Sequence, residues 1–312
     1  MKKKLNVTAL VIALNEQHFI KPCLSSLYPF VNRLYVVTNY DTDYYLNYVE
    51  PDLTVNFVKD FDDPEKKIVL LLNRKILDET IQRNWAMASD QMLYKTSQRK
   101  IYPHAHTIEI IRSQNIKTDY YWVVDADEIY DPETIPPVLD YVRQSNRDAI
   151  LVRGHNFFKK WNYRISLKND QFWQIGFIRS GLFFYNRRHL YIPRPFGWLW
   201  HINPLLYEKI ANMYCHQVKL PESIANFYHG SYVGDDTRIH KKLRSSSHAK
   251  ELQKTGLDEW FTNVWEPWTP DSRNFYFFDN NPEVWESVDH ISTSNLPSVI
   301  RDYEWPLGWI ER

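Results

Sequence analysis

The first 150 residues alternate short apolar runs with longer amphipathic segments. Residues 7–14 are apolar almost throughout, as expected for a strand that is buried on both faces of a sheet. Residues 33–38, 53–58, 120–124 and 149–152 predict further strands. Because buried strands that alternate with helices are typical of a mostly parallel sheet with helices on both faces, the predicted fold class is α/β.

Helices are expected between these strands. One should follow residue 18, and residues 78–93 and 107–115 predict two more. Asp131 followed by Pro132 is typical of the start of another helix. The apolar stripe expected on the helix at 78–93 consists of Ile81, Trp85, Ala88 and Met92.

After residue 150 the chain becomes strongly aromatic. Ten of its 12 tryptophans lie at residue 161 or later, among short aromatic strands and proline-rich loops. Residues 239–254 are charged and predict helix, and the tail from residue 260 predicts irregular structure. We expect this tail to pack back on the body, because exposed tryptophan at such density would promote aggregation.

Composition excludes several classes of protein. The first glycine is Gly154, so the N-terminal half has neither a Walker phosphate loop nor a GxGxxG dinucleotide turn. The 38 basic and 38 acidic residues give a net charge of zero, which argues against a nucleic-acid partner. Two cysteines form no disulfide framework, and a reducing compartment is the simplest interpretation.

The N-terminus indicates no membrane-spanning segment. The apolar run at residues 5–14 is too short and too polar at its end for a signal peptide or a membrane span. We therefore expect a cytoplasmic protein, and the lysines at positions 2–4 are compatible with peripheral contact at the inner face of a membrane.

Acidic side chains follow the predicted strands. They include Glu16, Asp41, Asp60, Asp125 and Asp127. Ligands of an open parallel sheet bind at the carboxyl ends of its strands. Carboxylates without a phosphate loop predict a Mg²⁺ or Mn²⁺ ion that in turn holds substrate phosphates. Asp125 and Asp127 are the favoured site for this ion, because they come directly after a strand of five apolar or aromatic residues.

Four segments, in order, resemble the family 2 inverting glycosyltransferases of the GT-A fold. They are ALVIALNEQHFIKPCLSSL, Arg83-Asn84-Trp85-Ala86, YYWVVDADEIYDPETI, and FYHGSYV with Lys241-Lys242 downstream. The resemblance implies an enzyme of polysaccharide biosynthesis that moves a sugar from a nucleoside-diphosphate sugar to a glycan, a lipid-linked acceptor or another hydroxyl. It also implies a manganese or magnesium cofactor. The GT-A domain would cover residues 1–235, with a nucleotide-binding half at 1–150 and an acceptor-side half at 151–235. An aromatic-rich extension at 236–312 would pack on it.

The same resemblance implies roles for individual residues. Asp127 would bind the metal directly, Asp125 would hold the ribose or the metal through water, and His229 would face the metal and diphosphate. The expected nucleotide-sugar ligands are Ala13, Leu14, Glu16, Asn39, Asp41, Arg83 and Asp125. The chemistry requires a divalent cation to stabilise the leaving diphosphate and a carboxylate to deprotonate the acceptor.

Two departures from the family pattern leave questions open. Thr38-Asn39-Tyr40-Asp41 stands where the family has Asp-Asp-Gly-Ser, so the donor base is undecided. The acidic pair that contains the catalytic base is not recognisable. The candidates by position along the chain are Asp170, Glu208, Asp235 and Asp236, with Glu208 favoured and Asp236 as its companion. The cluster of Lys241, Lys242 and Arg244 could neutralise a diphosphate, but a solvated helix face is the favoured interpretation.

Two alternative functions remain. A catalytically inactive glycan- or nucleotide-binding protein on the same fold would explain the unclear base. A phosphotransfer enzyme of the haloacid dehalogenase type also places Asp-x-Asp at a strand end. It ranks lower, because Glu128-Ile129 follows the pair and the pair lies on a late strand.

Overall fold

The structure of the protein is a computed structural model. It describes residues 5–39, 41–43, 45, 47–73, 79–95, 108–109, 116–167, 172–186, 188–190, 215–246, 249–254, 256–272 and 285–311. The strands are β1 (Val7–Ala13), β2 (Arg33–Asn39), β3 (Ile68–Asn73), β4 (Ile108–Glu109), β5 (Tyr120–Asp125), β6 (Glu128–Tyr130), β7 (Ala149–Leu167), β8 (Trp173–Arg179), β9 (Phe184–Asn186), β10 (His189–Leu190), β11 (Gln217–Lys219), β12 (Asn226–Val233) and β13 (Trp285–His290). The α-helices are α1 (Ile20–Leu27), α2 (Thr54–Lys59), α3 (Glu79–Lys95), α4 (Ile135–Ser145), α5 (Asp236–Ser245), α6 (Ala249–Lys254), α7 (Leu257–Trp260) and α8 (Ser298–Arg301).

Among these residues the main sheet has 11 strands in the order β4-β3-β2-β1-β5-β8-β7-β12-β6, and β11 and β13 also pair with β7. The adjacent strands β3, β2, β1 and β5 are parallel. Strand β8 joins this parallel core to β7 by antiparallel pairing on both of its sides. The predicted α/β class with a parallel central sheet is confirmed.

Both faces of the central sheet are covered. Along β1, Ala9 and Val11 belong to a buried cluster that includes α1, α2 and α4. Leu10 and Ile12 point to the opposite face, where the cluster includes Ala86 and Met87 of α3. Burial of successive residues on opposite faces explains why β1 is apolar at every position except Thr8.

The strand predicted at residues 53–58 is wrong, because this segment forms α2. Its buried residues Val55 and Val58 are three apart, which is helical spacing, and Asp52 accepts a hydrogen bond from the backbone N–H of Thr54 at 2.8 Å. The third parallel strand is β3, and Asp60 therefore follows a helix rather than a strand.

Other element predictions need correction. Helix α4 begins at Ile135, because Asp131 forms a turn in which its carboxylate accepts the Glu133 backbone N–H at 3.1 Å. Of the apolar stripe predicted on α3, Ile81 is 52 % exposed, whereas Trp85 packs against the core beside the buried Ala86 and Met87. In the segment predicted as helix at 107–115, residues 108–109 form β4, and the remainder lies outside the described residues.

The C-terminal region packs on the sheet through two aromatic clusters. One combines residues of α5, α7 and the π-helical turn Phe261–Trp265. The other places Trp305 and Trp309 against Phe19 and Trp161. The tail is more regular than predicted, since β13 pairs antiparallel with β7. None of the helices in the described ranges is long and apolar enough to cross a membrane.

Candidate functional site

The candidate site lies at the carboxyl edge of the parallel strands. The register aligns Ile12 of β1 with Asp125 of β5, so Asp125 ends its strand beside the end of β1. The chain turns sharply after β1 through Asn15, which has a left-handed φ of 52°. Asparagine is among the residues that tolerate this conformation best. Glu16 then starts the turn into α1, where its carbonyl accepts the Ile20 N–H at 2.9 Å.

Asp125 and Asp127 flank a tight connection between β5 and β6. The N–H of Ala126 donates to the Ile12 carbonyl at 2.9 Å, which fixes this connection to β1. The carbonyl of Asp127 accepts the N–H of Gly230 in β12 at 2.8 Å. This pairing brings the segment after β5 against the strand that carries His229.

Two arginines hold the carboxylate of Asp125. Arg83 Nη2 lies 2.6 Å from Oδ1, and Arg188 Nη2 lies 3.0 Å from Oδ2. Burial alone would raise the pKa of Asp125, but these guanidinium groups hold it below its ordinary value. Asp125 is therefore an anion whose two oxygens are already bound by cations.

Asp127 lies between a lysine and a histidine. Lys242 Nζ is 2.6 Å from Oδ2, and His229 Nε2 is 3.6 Å from Oδ1. Although burial opposes ionisation, Lys242 and His229 hold the pKa of Asp127 well below its usual range. The carboxylate is 4 % exposed, so it is a buried charge with specific partners.

Asn156 orients the imidazole of His229. Its Oδ1 lies 2.6 Å from Nδ1. Because this oxygen only accepts, Nδ1 carries the proton and Nε2 faces Asp127. Burial lowers the pKa of His229, but the nearby Asp127 carboxylate outweighs that effect and raises it above its ordinary value.

Glu16 is bound by two cations of α5. Arg238 Nη2 lies 2.9 Å from Oε2, and Lys242 Nζ contacts Oε1. Lys242 therefore bridges Glu16 and Asp127. The expectation of a solvated face is wrong for this residue, because Ile239 and Leu243 are buried and turn the same side of α5 toward the body.

Sequence reasoning missed Glu128 and Arg188. Glu128 is fully buried, and its carboxylate binds Arg188 Nη2 at 2.6 Å and the backbone N–H of Asp125 at 3.2 Å. Burial raises the pKa of Glu128 to about 7, although Arg188 opposes the rise. Glu128 could have been identified from its position directly after the Asp-x-Asp pair. No pattern in the sequence pointed to Arg188.

The remaining predicted site residues are placed as follows. Ala13 and Asn39 end β1 and β2, both buried, with Leu14 directly after β1. Gln82 Nε2 donates to Asn39 Oδ1 at 3.4 Å. The carbonyl of Asp41 accepts the N–H of Val49 at 3.0 Å.

Of the candidate bases Glu208 and Asp236, the structure describes Asp236. Asp236 begins α5, and its carboxylate accepts the indole N–H of Trp265 at 2.8 Å. Lys159 Nζ lies 3.5 Å from the same carboxylate. Glu208 lies outside the described residues.

Asp127 and His229 suit a divalent metal ion. Among the described residues, no three His, Cys, Asp or Glu side chains converge as a complete metal site. A carboxylate oxygen and an imidazole nitrogen 3.6 Å apart can contact one ion. Mg²⁺ and Mn²⁺ are commonly held by few protein ligands plus phosphate oxygens and water, so this pair fits such an ion.

Residues 113–200 match the family model "Glycosyl transferase family 2". The match spans β5, the Asp-x-Asp connection, and the strands β7 to β10. The match covers less than half of the 312 residues, and over this part it supports the family that the sequence indicated. The prediction that the chain is a glycosyltransferase is confirmed. Among curated proteins, no significant match is found.

Solved structures give a more distant likeness. S. aureus TarS residues 1–349 is 12% identical, with a TM-score of 0.41, and the alignment covers 83% of this chain and 73% of that one. The same TarS fragment in complex with UDP-GlcNAc gives 12% identity, a TM-score of 0.40 and the same coverage. These values are too low to transfer the ligand of that protein to this chain.

Proposed function

Starting from the glycosyl transferase family 2 segment at residues 113–200, we propose a metal-dependent, inverting reaction for this chain. It moves a sugar from a nucleoside-diphosphate sugar to a hydroxyl of a glycan or lipid-linked acceptor. The observation that carries the proposal is the buried Asp127 at the carboxyl edge of the parallel sheet, with His229 and cationic side chains around it. An edge with this charge pattern suits a metal-bound diphosphate.

The nucleotide would lie across the ends of β1 and β2. The residues proposed to contact the donor are Ala13, Leu14, Glu16, Asn39, Asp41, Arg83 and Asp125. The Asn39 side chain ends β2 beside this region and carries a donor and an acceptor, although Gln82 Nε2 already donates to its Oδ1 at 3.4 Å. Arg83 is almost fully buried and held by Glu79 at 3.0 Å and Asp125 at 2.6 Å, which gives a rigid wall to the ribose region.

Asp127 and His229 are the proposed metal ligands, with Asp125 acting through water. When bound, the metal would supply Lewis-acid stabilisation of the leaving diphosphate. Asn156 keeps the proton of His229 on Nδ1, so the neutral imidazole presents Nε2 to the metal side. Orientation of a histidine by such a partner typically matters about 10–100-fold in metal affinity.

A carboxylate must remove the proton of the attacking hydroxyl. Glu208 and Asp236 remain the proposed candidates for this base. The contact of Asp236 with Trp265 disfavours Asp236, so Glu208 is the first choice. Glu208→Gln should lower kcat while leaving donor affinity unchanged, and Asp236→Asn is the parallel comparison.

The cellular setting stays a prediction. Cytoplasmic location, a role in polysaccharide biosynthesis and peripheral membrane contact all follow from the sequence resemblance and from the N-terminal lysines. Vesicle co-sedimentation of the full chain with anionic and neutral lipid would test the membrane contact.

The first experiment is a thermal-shift screen of UDP, GDP, CDP, dTDP and ADP, each with and without Mn²⁺. A ligand at a hundredfold excess over its Kd stabilises the folded state by about 2.7 kcal/mol, which is readily seen. We expect one diphosphate to give a metal-dependent shift. Asp127→Ala should abolish that shift, whereas Asp140→Ala, at an exposed position of α4, should keep it.

Failure of this screen would have a clear meaning. If Asp127→Ala binds nucleotide and Mn²⁺ like the parent, the proposed metal site is wrong. If no diphosphate shifts the parent, the inactive or phosphotransfer alternatives gain weight. A positive screen followed by transfer of labelled sugar to a glycan acceptor would separate an active transferase from an inactive one.

A further inference from the structure

Lys242 occupies an unusual place in the candidate site. Its single ammonium group contacts both Glu16, which starts the turn into α1, and Asp127, which follows β5. The side chain is 20 % exposed, so it is mostly buried beside the two acids. The helix that carries it is anchored by the buried side chains of Ile239 and Leu243.

This lysine competes with any metal ion at Asp127. Oδ2 of Asp127 already binds Nζ at 2.6 Å, while Oδ1 faces His229. Nζ also contacts Glu16, so the ammonium group is held between two carboxylates. A divalent cation that approaches Asp127 in the free protein therefore meets a fixed positive charge within ion-pair distance.

We propose that Lys242 is a resident counter-ion that makes metal binding at Asp127 depend on the diphosphate of the donor. The inference rests on the proposed function, because it takes Asp127 as a metal ligand and a diphosphate as its companion. Without diphosphate, Lys242 neutralises Asp127 and weakens the binding of the metal. With diphosphate, the phosphate oxygens attract Nζ and release the carboxylate.

The flexibility of lysine suits this exchange. Its ammonium is a point charge on a four-carbon stem, with three donors that can be redirected. Phosphate oxygens accept such charge-assisted bonds as strongly as carboxylates do. Glu16 would stay neutralised after the exchange, because Arg238 binds its other oxygen at 2.9 Å.

The test measures two simple ligands on the full chain. Mn²⁺ binding without nucleotide is followed by the electron paramagnetic resonance signal of free Mn²⁺. Binding of inorganic pyrophosphate is followed by calorimetry in the presence of a chelator. Lys242→Met is compared with the parent, with Lys242→Arg, which keeps the charge, and with Lys241→Met, which removes the exposed neighbouring charge.

We expect Lys242→Met to shift the two affinities in opposite directions. Mn²⁺ alone should bind about tenfold more tightly, equivalent to about 1.4 kcal/mol, while pyrophosphate binds more weakly. Lys241→Met should change neither, and Lys242→Arg should resemble the parent in Mn²⁺ binding. Loss of folded structure cannot produce a gain in metal affinity, so the opposite signs separate this role from a purely structural one.

Other results would overturn the inference. If Mn²⁺ binds Lys242→Met no more tightly than the parent, while the parent binds Mn²⁺ with a nucleoside diphosphate, the counter-ion role is wrong and the metal site stands. If neither protein binds Mn²⁺ with any of the five diphosphates, the proposed metal site fails and the inference fails with it.

Discussion

Trp309 connects the C-terminal segment, residues 285–311, to the body of the protein. Its indole is 3 % exposed, and its ring centroid lies 5.8 Å from that of Phe19. Its carbonyl accepts the N–H of Trp161 at 2.9 Å. The Arg238 guanidinium, a partner of the candidate site, lies 5.8 Å from the centroid of the Trp309 ring. Trp309→Ala should therefore leave a cavity and weaken the support of Arg238.

The size of the effect follows from burial. Truncation of a buried tryptophan to alanine costs about 3–5 kcal/mol, and its cation–π contact contributes about 0.5–2 kcal/mol of such a loss. The total free energy of unfolding of a native protein is roughly 5–15 kcal/mol. Trp309→Ala should therefore remove a large part of the stability. Trp309→Phe keeps an aromatic ring and should cost less.

Urea denaturation with linear extrapolation measures these differences. Leu307 lies in the same turn and is fully exposed, so Leu307→Ala should change the free energy of unfolding by less than about 0.5 kcal/mol. If Trp309→Ala loses less than about 1 kcal/mol, or no more than Leu307→Ala, the C-terminal segment is not anchored as described.

An added Cβ at Gly230 would lie 2.3 Å from Cε1 of Phe19. Gly230→Ala should therefore lower the free energy of unfolding by about 1–3 kcal/mol, measured by urea denaturation. Phe19→Leu in the same protein should recover part of that loss, because it removes the clashing ring. If the losses of the two single variants simply add in the double variant, the clash is contradicted. The Glu311 carboxylate accepts hydrogen bonds, of which the one from Tyr163 has the largest effect, and they lower its pKa to about 2. The ordinary pKa of this group, expected in the unfolded chain, is 4.5. Its stabilising effect is present above pH 4.5 and is lost as the pH falls through 2. Glu311→Gln should reduce the change in the free energy of unfolding between pH 4.5 and pH 2, whereas Glu304→Gln, at an exposed position, should leave it unchanged. If the parent and Glu311→Gln lose stability equally as the pH falls, this prediction is wrong.

The parallel core could be predicted because its strands are buried on both faces. Such strands are apolar or aromatic at most positions, and this pattern can be recognised in β1, β2 and β5 without any tertiary information. The position of Asp125 and Asp127 at the strand end followed directly. Residues 53–58 carry a similar apolar run, but they form α2, since a short run of this kind does not distinguish strand from helix.

The partners of these acids could not be predicted. Arg188 and Lys242 lie 63 and 115 residues beyond Asp125 and Asp127 in the chain, and sequence spacing does not reveal which charges meet across the fold. Asn156 reaches His229 because β7 and β12 are paired in a particular register. Such contacts depend on the packing of distant elements.

The sequence by itself determined the α/β class, the parallel strands and the acidic turn after β5. These features depend on residues that are close together in the chain, because a buried strand is a local apolar run and its end is the residue where that run stops. Only the tertiary structure decided that Lys242 faces inward to bridge Glu16 and Asp127. A helix such as α5 carries charge on several sides, and which side meets the acids is settled when its apolar residues pack against the body.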